Sequence, residues 1–238
     1  MITGQIKQIE TMGLVDGPGI RVVIFMQGCP LRCLFCHNPE MWSYEGGIAY
    51  TPEKLLDIIL KYKNYFGKQG GVTFSGGEPL SQPTFLIACL KLCKEEGIST
   101  CLDTSGVGNE QFSEEILSLV DLVIYDIKAI ADDKYKAMTN INIDKSKAFL
   151  SLCQVLDKNL WIRSVIVPGI NDTDDYIVEL SNYIKGIKNV KKVELLPYHT
   201  MGKIKYDNLN IAYPLENTLP MNIKTCKELE EKLLNMLN

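Results

Sequence analysis

The chain switches repeatedly between short, continuously apolar runs and longer stretches whose apolar residues recur every three to four positions. The apolar runs read as buried strands: Arg21 to Gln27, Val72 to Ser75, the STCLDTSG segment breaking at Ser105-Gly106, LVIYDIK, LWIRSVIVPG and VKKVELLP. The periodic stretches read as helices. PEKLLDIILKYKNYF brings Leu55, Leu56, Ile59, Leu60 and Tyr62 to one side, with Pro52 near its start. Further helices are predicted from Thr84 to Glu96 with a stop at Gly97, from Ser113 to Val120, from Lys145 to Lys158, through TDDYIVELSNYIKG with its acidic first turn, and from Ile223 to Leu237. Six continuously apolar strands, each followed by helical or loop material, predict a parallel sheet covered on both faces. A closed barrel takes eight such units. The pattern therefore predicts an α/β fold, a partial (β/α)6 barrel of parallel strands open on one side; a doubly wound sheet is the alternative. No Pro- or Ser-rich linker interrupts it, so residues 1–238 read as a single domain.

In both architectures function gathers at the C-terminal ends of the strands, and the polar residues of this chain collect there. The first strand runs into a cysteine-rich loop and the second into SGGEP with Glu78. Asp103 and Thr104 close the third. Asp126 and Lys128, two apart in the fourth, share a side, and Arg163 lies inside the fifth on the face of Trp161, Val165 and Val167. His199 follows the sixth. Any one of these could be a satisfied core group, but a set of charges at one rim is hard to explain as packing, because each buried charge needs a partner.

Composition narrows the classes. With 238 residues, 46% hydrophobic and 23% charged, the chain can bury a sizeable core. Its net charge is −4 without blocks of like charge, which gives no reason to expect a nucleic acid or an anionic membrane as partner. No apolar run approaches the roughly 18 residues of a spanning helix. The start, MITGQIKQIETMG, has no basic and apolar leader, so a cytoplasmic, reducing location is expected, where thiols stay free for metal.

Three of the eight cysteines, Cys29, Cys33 and Cys36, lie in MQGCPLRCLFCHNPE with spacing C-x3-C-x2-C. Soft thiolates suit iron–sulfur clusters, zinc or copper(I). A cubane cluster has four irons and normally takes four thiolates, so three ligands leave one iron open, as in a metal centre that does chemistry. A structural zinc site would want a fourth ligand, and His37, adjacent to Cys36, completes a tetrahedron poorly. Cys89 and Cys93, at i and i+4, share a helix face that could suggest a second metal site. Their apolar neighbours Leu86, Leu90 and Leu92 favour small buried hydrophobes, as for the isolated Cys101, Cys153 and Cys226.

The cysteine loop, the Gly-Gly-Glu and the strand order together resemble the radical S-adenosylmethionine (SAM) superfamily. VDGPGIR, QGC-x3-C-x2-CHNP, SGGEP, CLDTSG, YDIK, WIR-x3-VPG and LLPYH-x2-GK-x-KY, in order over nearly the whole chain, are similar to the glycyl-radical-enzyme activases. Many activases carry a ferredoxin-like insert after the cysteine loop. Here only the cysteine-free MWSYEGGIAY precedes the first helix, which favours the type that acts on pyruvate formate-lyase.

The resemblance implies a 4Fe–4S cluster on Cys29, Cys33 and Cys36, with SAM chelating the fourth iron and cleaved reductively to methionine and a 5′-deoxyadenosyl radical. That radical takes a hydrogen from one glycine of pyruvate formate-lyase. A reduced flavodoxin or ferredoxin would supply the electron, at about −400 mV or below, and the activase would be a monomer. By the same resemblance Glu78 would accept from the SAM amino group, with Gly76 and Gly77 allowing close backbone approach. Asp103, Asp126, Thr104 and the carbonyl of Ile124 would hold a monovalent cation, sodium or potassium. Phe35 and His37 would contact the adenine, with Val165 and Leu196 packed against it. Lys128, Arg163 and His199 would touch SAM or the substrate peptide, and Asp16 would sit on the rim near the incoming glycine loop. Asn38 would form an Asx turn before Pro39. Met41 to Tyr50 and Thr200 to Asn217, with little regular pattern, read as the binding rim. An activase for another glycyl radical enzyme stays open. So do a small-molecule radical SAM enzyme, which DGPG and LLPYH-x2-GK argue against, and an electron carrier, which would have no use for Gly-Gly-Glu.

Overall fold

A computed structural model describes residues 1–238. All six predicted strands form and lie parallel: β2 (Arg21–Met26), β4 (Gly71–Gly76), β5 (Ser99–Thr104), β6 (Leu122–Asp126), β7 (Asn159–Ile166) and β8 (Val190–Pro197). Two more strands extend the sheet antiparallel at one side, β1 (Gly4–Gly13) against β2, and β3 (Ile48–Tyr50) against β1. The order is β3-β1-β2-β4-β5-β6-β7-β8, an open partial barrel with free edges at β3 and β8. Both additions are hard to read in sequence. β1 slips register between Ile6 and Gln8 and again between Glu10 and Gly13, and such bulges erase a two-residue alternation. β3 is only three residues long and lies within the predicted Met41–Tyr50 loop.

Helices α1 (Pro52–Leu60), α2 (Pro83–Glu95), α3 (Ser113–Leu119), α5 (Asp144–Val155), α6 (Asp174–Lys185) and α8 (Ile223–Leu237) correspond to the predicted ones. The first ends earlier than its apolar pattern, at Leu60, followed by a 3-10 turn at Lys63–Tyr65. Two short helices were not legible. α4 (Asp132–Thr139) has only Tyr135, Met138 and Thr139 buried, and α7 (Lys203–Leu209) only Tyr206. α7 and the 3-10 turn before it occupy part of the Thr200–Asn217 segment expected to be irregular.

Strand alternation sorts the two faces of the sheet. Val22, Ile24, Val72, Phe74, Leu102, Val123, Leu160 and Ile162 pack outward into the main core, each worth about 1.5–3 kcal/mol when buried. Phe25, Ser75, Asp103, Asp126, Arg163 and Val165 alternate with them and line the inner cavity. Cys89, Cys93, Cys153 and Cys226 belong to the main core, and Cys101 to a small inner cluster with Leu122 and Ile124. All five thiols are free, and burial pushes each upward, Cys93 and Cys153 to about 12 and Cys101 and Cys226 to about 11. No helix is long and apolar enough to cross a membrane.

The segment joining β1 to β2 crosses the N-terminal end of the barrel as a strap. The guanidinium of Arg21, fully buried, donates to the carbonyls of Pro18, Gln69, Val72 and Ser99 and to Thr73 Oγ1, which uses all five of its N–H groups. Thr73 Oγ1 in turn donates to the Asp16 carbonyl, and Arg163 Nη2 to that of Val15. The strap is thereby tied to β2, β4 and β7.

Candidate functional site

A cavity of about 480 Å3 opens at the C-terminal ends of the parallel strands, within the range of small-molecule and cofactor sites. Cys29, Cys33, Phe35, Cys36 and His37 form one wall; Ser75 to Glu78, Asp103, Asp126 and Lys128 form another; Arg163, Val165, Leu196 and His199 complete it.

The cysteine loop is held from both sides. Gly28 N–H donates to Met41 O and Cys29 N–H to Trp42 O, while Arg32 and Leu34 N–H donate to the carbonyls of Thr139 and Met138 at the end of α4. Cys36 N–H closes a turn onto Cys33 O. The three thiols are free, and burial raises all of them, Cys33 to about 12. No three His, Cys, Asp or Glu side chains converge on a point where one metal ion could sit. The thiols instead spread along one cavity wall. Three soft donors so placed, facing a cavity large enough for a further ligand, fit a multi-iron cluster with one open position.

Gly76 and Gly77 permit the tight path after β4. Gly76 has φ +106°, and a Cβ on Gly77 would lie 2.4 Å from the Gly28 carbonyl oxygen. Glu78 beyond them is 1% exposed. Its Oε1 accepts from Leu80 N–H and Thr104 Oγ1, and its Oε2 from Ser105 N–H and Oγ, at 2.6–3.1 Å. A carboxylate offers about four acceptor sites. All are taken here, so this geometry leaves none for a SAM amine and makes Glu78 a tie between the ends of β4 and β5. The Thr104 hydroxyl donates to Glu78 and accepts from Gly106 N–H, on the opposite strand face from Asp103.

The other carboxylates meet cations of the protein itself. Lys128, just past the end of β6, bonds Asp126 Oδ2 at 2.7 Å and stands 5.6 Å over the Phe35 ring. Asp103 accepts from Ser75 Oγ at 2.8 Å, with Arg163 Nη1 3.9 Å away. Burial, then the neighbouring Asp126, push the Asp103 carboxyl up to about 7. Ile124 is the β6 partner of Asp103. Arg163 also faces Asp16 Oδ1 at 3.7 Å and Glu194 Oε2 at 3.2 Å. Asp16 therefore reaches the cavity from the strap at the N-terminal end of the barrel and not from the rim, and burial raises its carboxyl against the pull of Arg163. Glu194, Ser75 and Ser105 were missed in sequence. Glu194 stood in plain view inside the strand VKKVELLP, opposite Arg163 in register.

His37 and His199 meet edge to face, ring centroids 4.6 Å apart. The buried Nδ1 of His37 has no partner, and burial, then His199, lower its basicity. Val165 and Leu196 are paired neighbours on β7 and β8. Asn38 makes no cap with its own backbone; its Oδ1 accepts from Lys205 instead.

The description Radical SAM superfamily applies to the family that matches residues 23–181. The chain is 51% identical over 238 residues, all of both chains, to a pyruvate formate-lyase-activating enzyme of Clostridium pasteurianum. Among solved structures it is similar to a domain of the Bacteroides vulgatus pyruvate-formate lyase-activating enzyme, with TM-score 0.56 at 22% identity over 71% of this chain and 92% of that one. It is also similar to Streptococcus suis SuiB bound to the precursor peptide SuiA, with TM-score 0.70 at 17% identity over 95% of this chain and 46% of that one.

Proposed function

Because the chain belongs to the radical SAM superfamily, and within it to the pyruvate formate-lyase-activating enzymes, we propose that it installs a glycyl radical in pyruvate formate-lyase. The observation that carries this reading is the loop of three free thiols facing a cavity that has room for SAM. When bound, the cluster and SAM supply reductive C–S cleavage to methionine and a 5′-deoxyadenosyl group that takes the glycine hydrogen. This chain's part is to bind, orient and exclude water. Cys29, Cys33 and Cys36 hold the cluster. Gly76 and Gly77 bring backbone close to the methionine end of SAM, and Glu78 fixes that turn. Phe35, His37, Val165, Leu196 and His199 surround the adenosine. Lys128 and Arg163 contact the polar groups of SAM or the incoming peptide, and Asp16, beside Arg163, meets the glycine loop. We assign these roles to one domain, residues 1–238, acting as a cytoplasmic monomer with a reduced flavodoxin or ferredoxin as donor.

The decisive experiment incubates the anaerobically reconstituted protein with dithionite, SAM and pyruvate formate-lyase. It measures 5′-deoxyadenosine by chromatography and the glycyl radical by electron paramagnetic resonance. Both are expected. An electron carrier makes no 5′-deoxyadenosine, and an activase of another enzyme makes it without a radical on pyruvate formate-lyase. Asp16→Asn is expected to lower radical yield more than SAM affinity, and a glycine-loop peptide to bind only with SAM present. A normal radical yield in Asp16→Asn would remove that residue from the site.

Asp103 and Asp126 support a monovalent cation beside SAM, with the Ile124 carbonyl and Thr104 next to them. Lys128 pairs with Asp126 and Arg163 stands 3.9 Å from Asp103, and the SAM carboxylate would bring a third negative charge that a cation would offset. Asp103→Ala and Asp126→Ala are expected to weaken SAM binding roughly tenfold each, about 1.4 kcal/mol, and potassium or sodium to stimulate turnover. Indifference to both the cation and the substitutions would exclude the site.

A further inference from the structure

The GK-x-KY motif lies outside every role assigned so far, yet α7 grips the chain directly after Cys36. Tyr206 is fully buried, and its hydroxyl donates to the Cys36 carbonyl at 3.0 Å. Its ring stands edge to face against Trp42 at 5.6 Å and against Tyr213 at 4.9 Å, and the Tyr213 hydroxyl bonds that of Tyr198 at 2.6 Å. The neighbouring Lys205 bonds Asn38 Oδ1 at 2.5 Å and Glu40 Oε1 at 2.8 Å. Gly202, at the start of α7, packs so closely on His37 that a Cβ there would lie 3.1 Å from the His37 Cα. Residues 36–42 are thus held by a hydrogen bond, an ion pair and an aromatic contact from one seven-residue helix. The carbonyl of Cys36 and the residues directly after it are therefore placed from α7. Neither Cys29 nor Cys33 has hydrogen bonds of this kind from α7; their loop is braced by α4 and by residues 41–42.

We propose that α7 is a positioning element for the third cluster ligand: Tyr206 and Lys205 fix the Cys36 carbonyl and the Asn38 to Trp42 turn that follows it, and so set how firmly the cluster is held and how readily it takes an electron. The inference rests on the proposed function only in taking Cys36 as a cluster ligand. Partners that orient metal ligands typically matter 10–100-fold in metal affinity and also tune the metal's potential.

The test uses the full-length, reconstituted protein and the variants Tyr206→Phe, Lys205→Met, Lys205→Arg and Lys203→Met. Lys203 sits on the same helix but pairs only with the exposed Glu216, so its variant controls for nonspecific damage to α7. Iron release to a chelator is followed by absorbance, and the cluster's redox titration and resonance line shape are recorded. Circular dichroism melting of the apoprotein reports folding. Tyr206→Phe removes one hydroxyl and keeps the ring. It and Lys205→Met are expected to release iron roughly tenfold faster, to shift the cluster's reduction equilibrium and to alter the line shape. Lys205→Arg is expected to restore slow release, and Lys203→Met to behave as the parent. Parental iron release, titration and line shape in folded Tyr206→Phe and Lys205→Met would overturn the proposal, as would the same changes in Lys203→Met. A parent chain that binds no iron would overturn the proposed function along with it.

Discussion

Alanine at Cys29, Cys33 or Cys36 is expected to abolish SAM cleavage, bringing 5′-deoxyadenosine to the level seen without enzyme. The three thiols come from one short stretch of loop, and no other Cys or His stands in for a lost ligand: the remaining cysteines sit in the hydrophobic core or in the small inner cluster, and His37 and His199 are engaged with one another. Two thiolates hold a cubane poorly, so each variant should also lose most of its iron after reconstitution. Cys89→Ala and Cys93→Ala, on the buried face of α2, should keep iron and activity, at a stability cost on the order of 1 kcal/mol for the lost packing. Iron content and 5′-deoxyadenosine yield, measured together, check this. Loss of the cluster from Cys89→Ala would show that the ligand set is misassigned.

The largest effect on stability is expected at Arg21, although this residue touches no part of the cavity. Arg21→Met keeps an apolar side chain of fair length but abandons five acceptors, the carbonyls of Pro18, Gln69, Val72 and Ser99 and the Thr73 hydroxyl. Methionine carries no charge, so the cost lies in the acceptors it leaves unpaired, about 1–3 kcal/mol for each carbonyl left dry and roughly 3–5 kcal/mol for the few that water does not reach. Against a total stability of about 5–15 kcal/mol, that is a fifth or more. At about 2–4 °C per kcal/mol for a chain of this size, the apoprotein should melt roughly 10 °C lower. A lysine ammonium has three donors where the guanidinium uses five, so Arg21→Lys should recover only part of the loss. A melting temperature of Arg21→Met within about 2 °C of the parent would show that the strap stands without its anchor.

Strands β2, β4, β5, β6 and β7 were legible because they are largely buried on both faces and so read as apolar runs, whereas the edge strand β8 exposes Lys191 and Lys192 and was legible mainly from its apolar second half. The polar exceptions at their ends, Asp103, Asp126 and Arg163, stood out against that background and do come together in one cavity. What could not be read depends on neighbours that no local pattern encodes. Glu78 has its oxygens spent because the end of β5 delivers Thr104 and Ser105 to it across the sheet. Asp16 precedes β2 by a few residues, yet the antiparallel β1 carries it to the far end of the barrel before it turns inward to Arg163. α7 buries a single tyrosine, too little for a periodic signal, and its contact with Cys36 joins residues 170 positions apart.

The segregation of the cysteines bears on how the protein survives air. Oxygen that destroys a cluster leaves bare thiols behind, which oxidise to sulfenic acid and disulfides. In this chain the five other thiols are buried at 2% exposure or less and held protonated by their surroundings, so they neither attack nor are reached. Oxidative mispairing is confined to the Cys29–Cys36 loop. A reductant that reverses a disulfide or sulfenic acid in that one loop frees its ligands again, so this part of the damage done by oxygen stays local to the cluster loop.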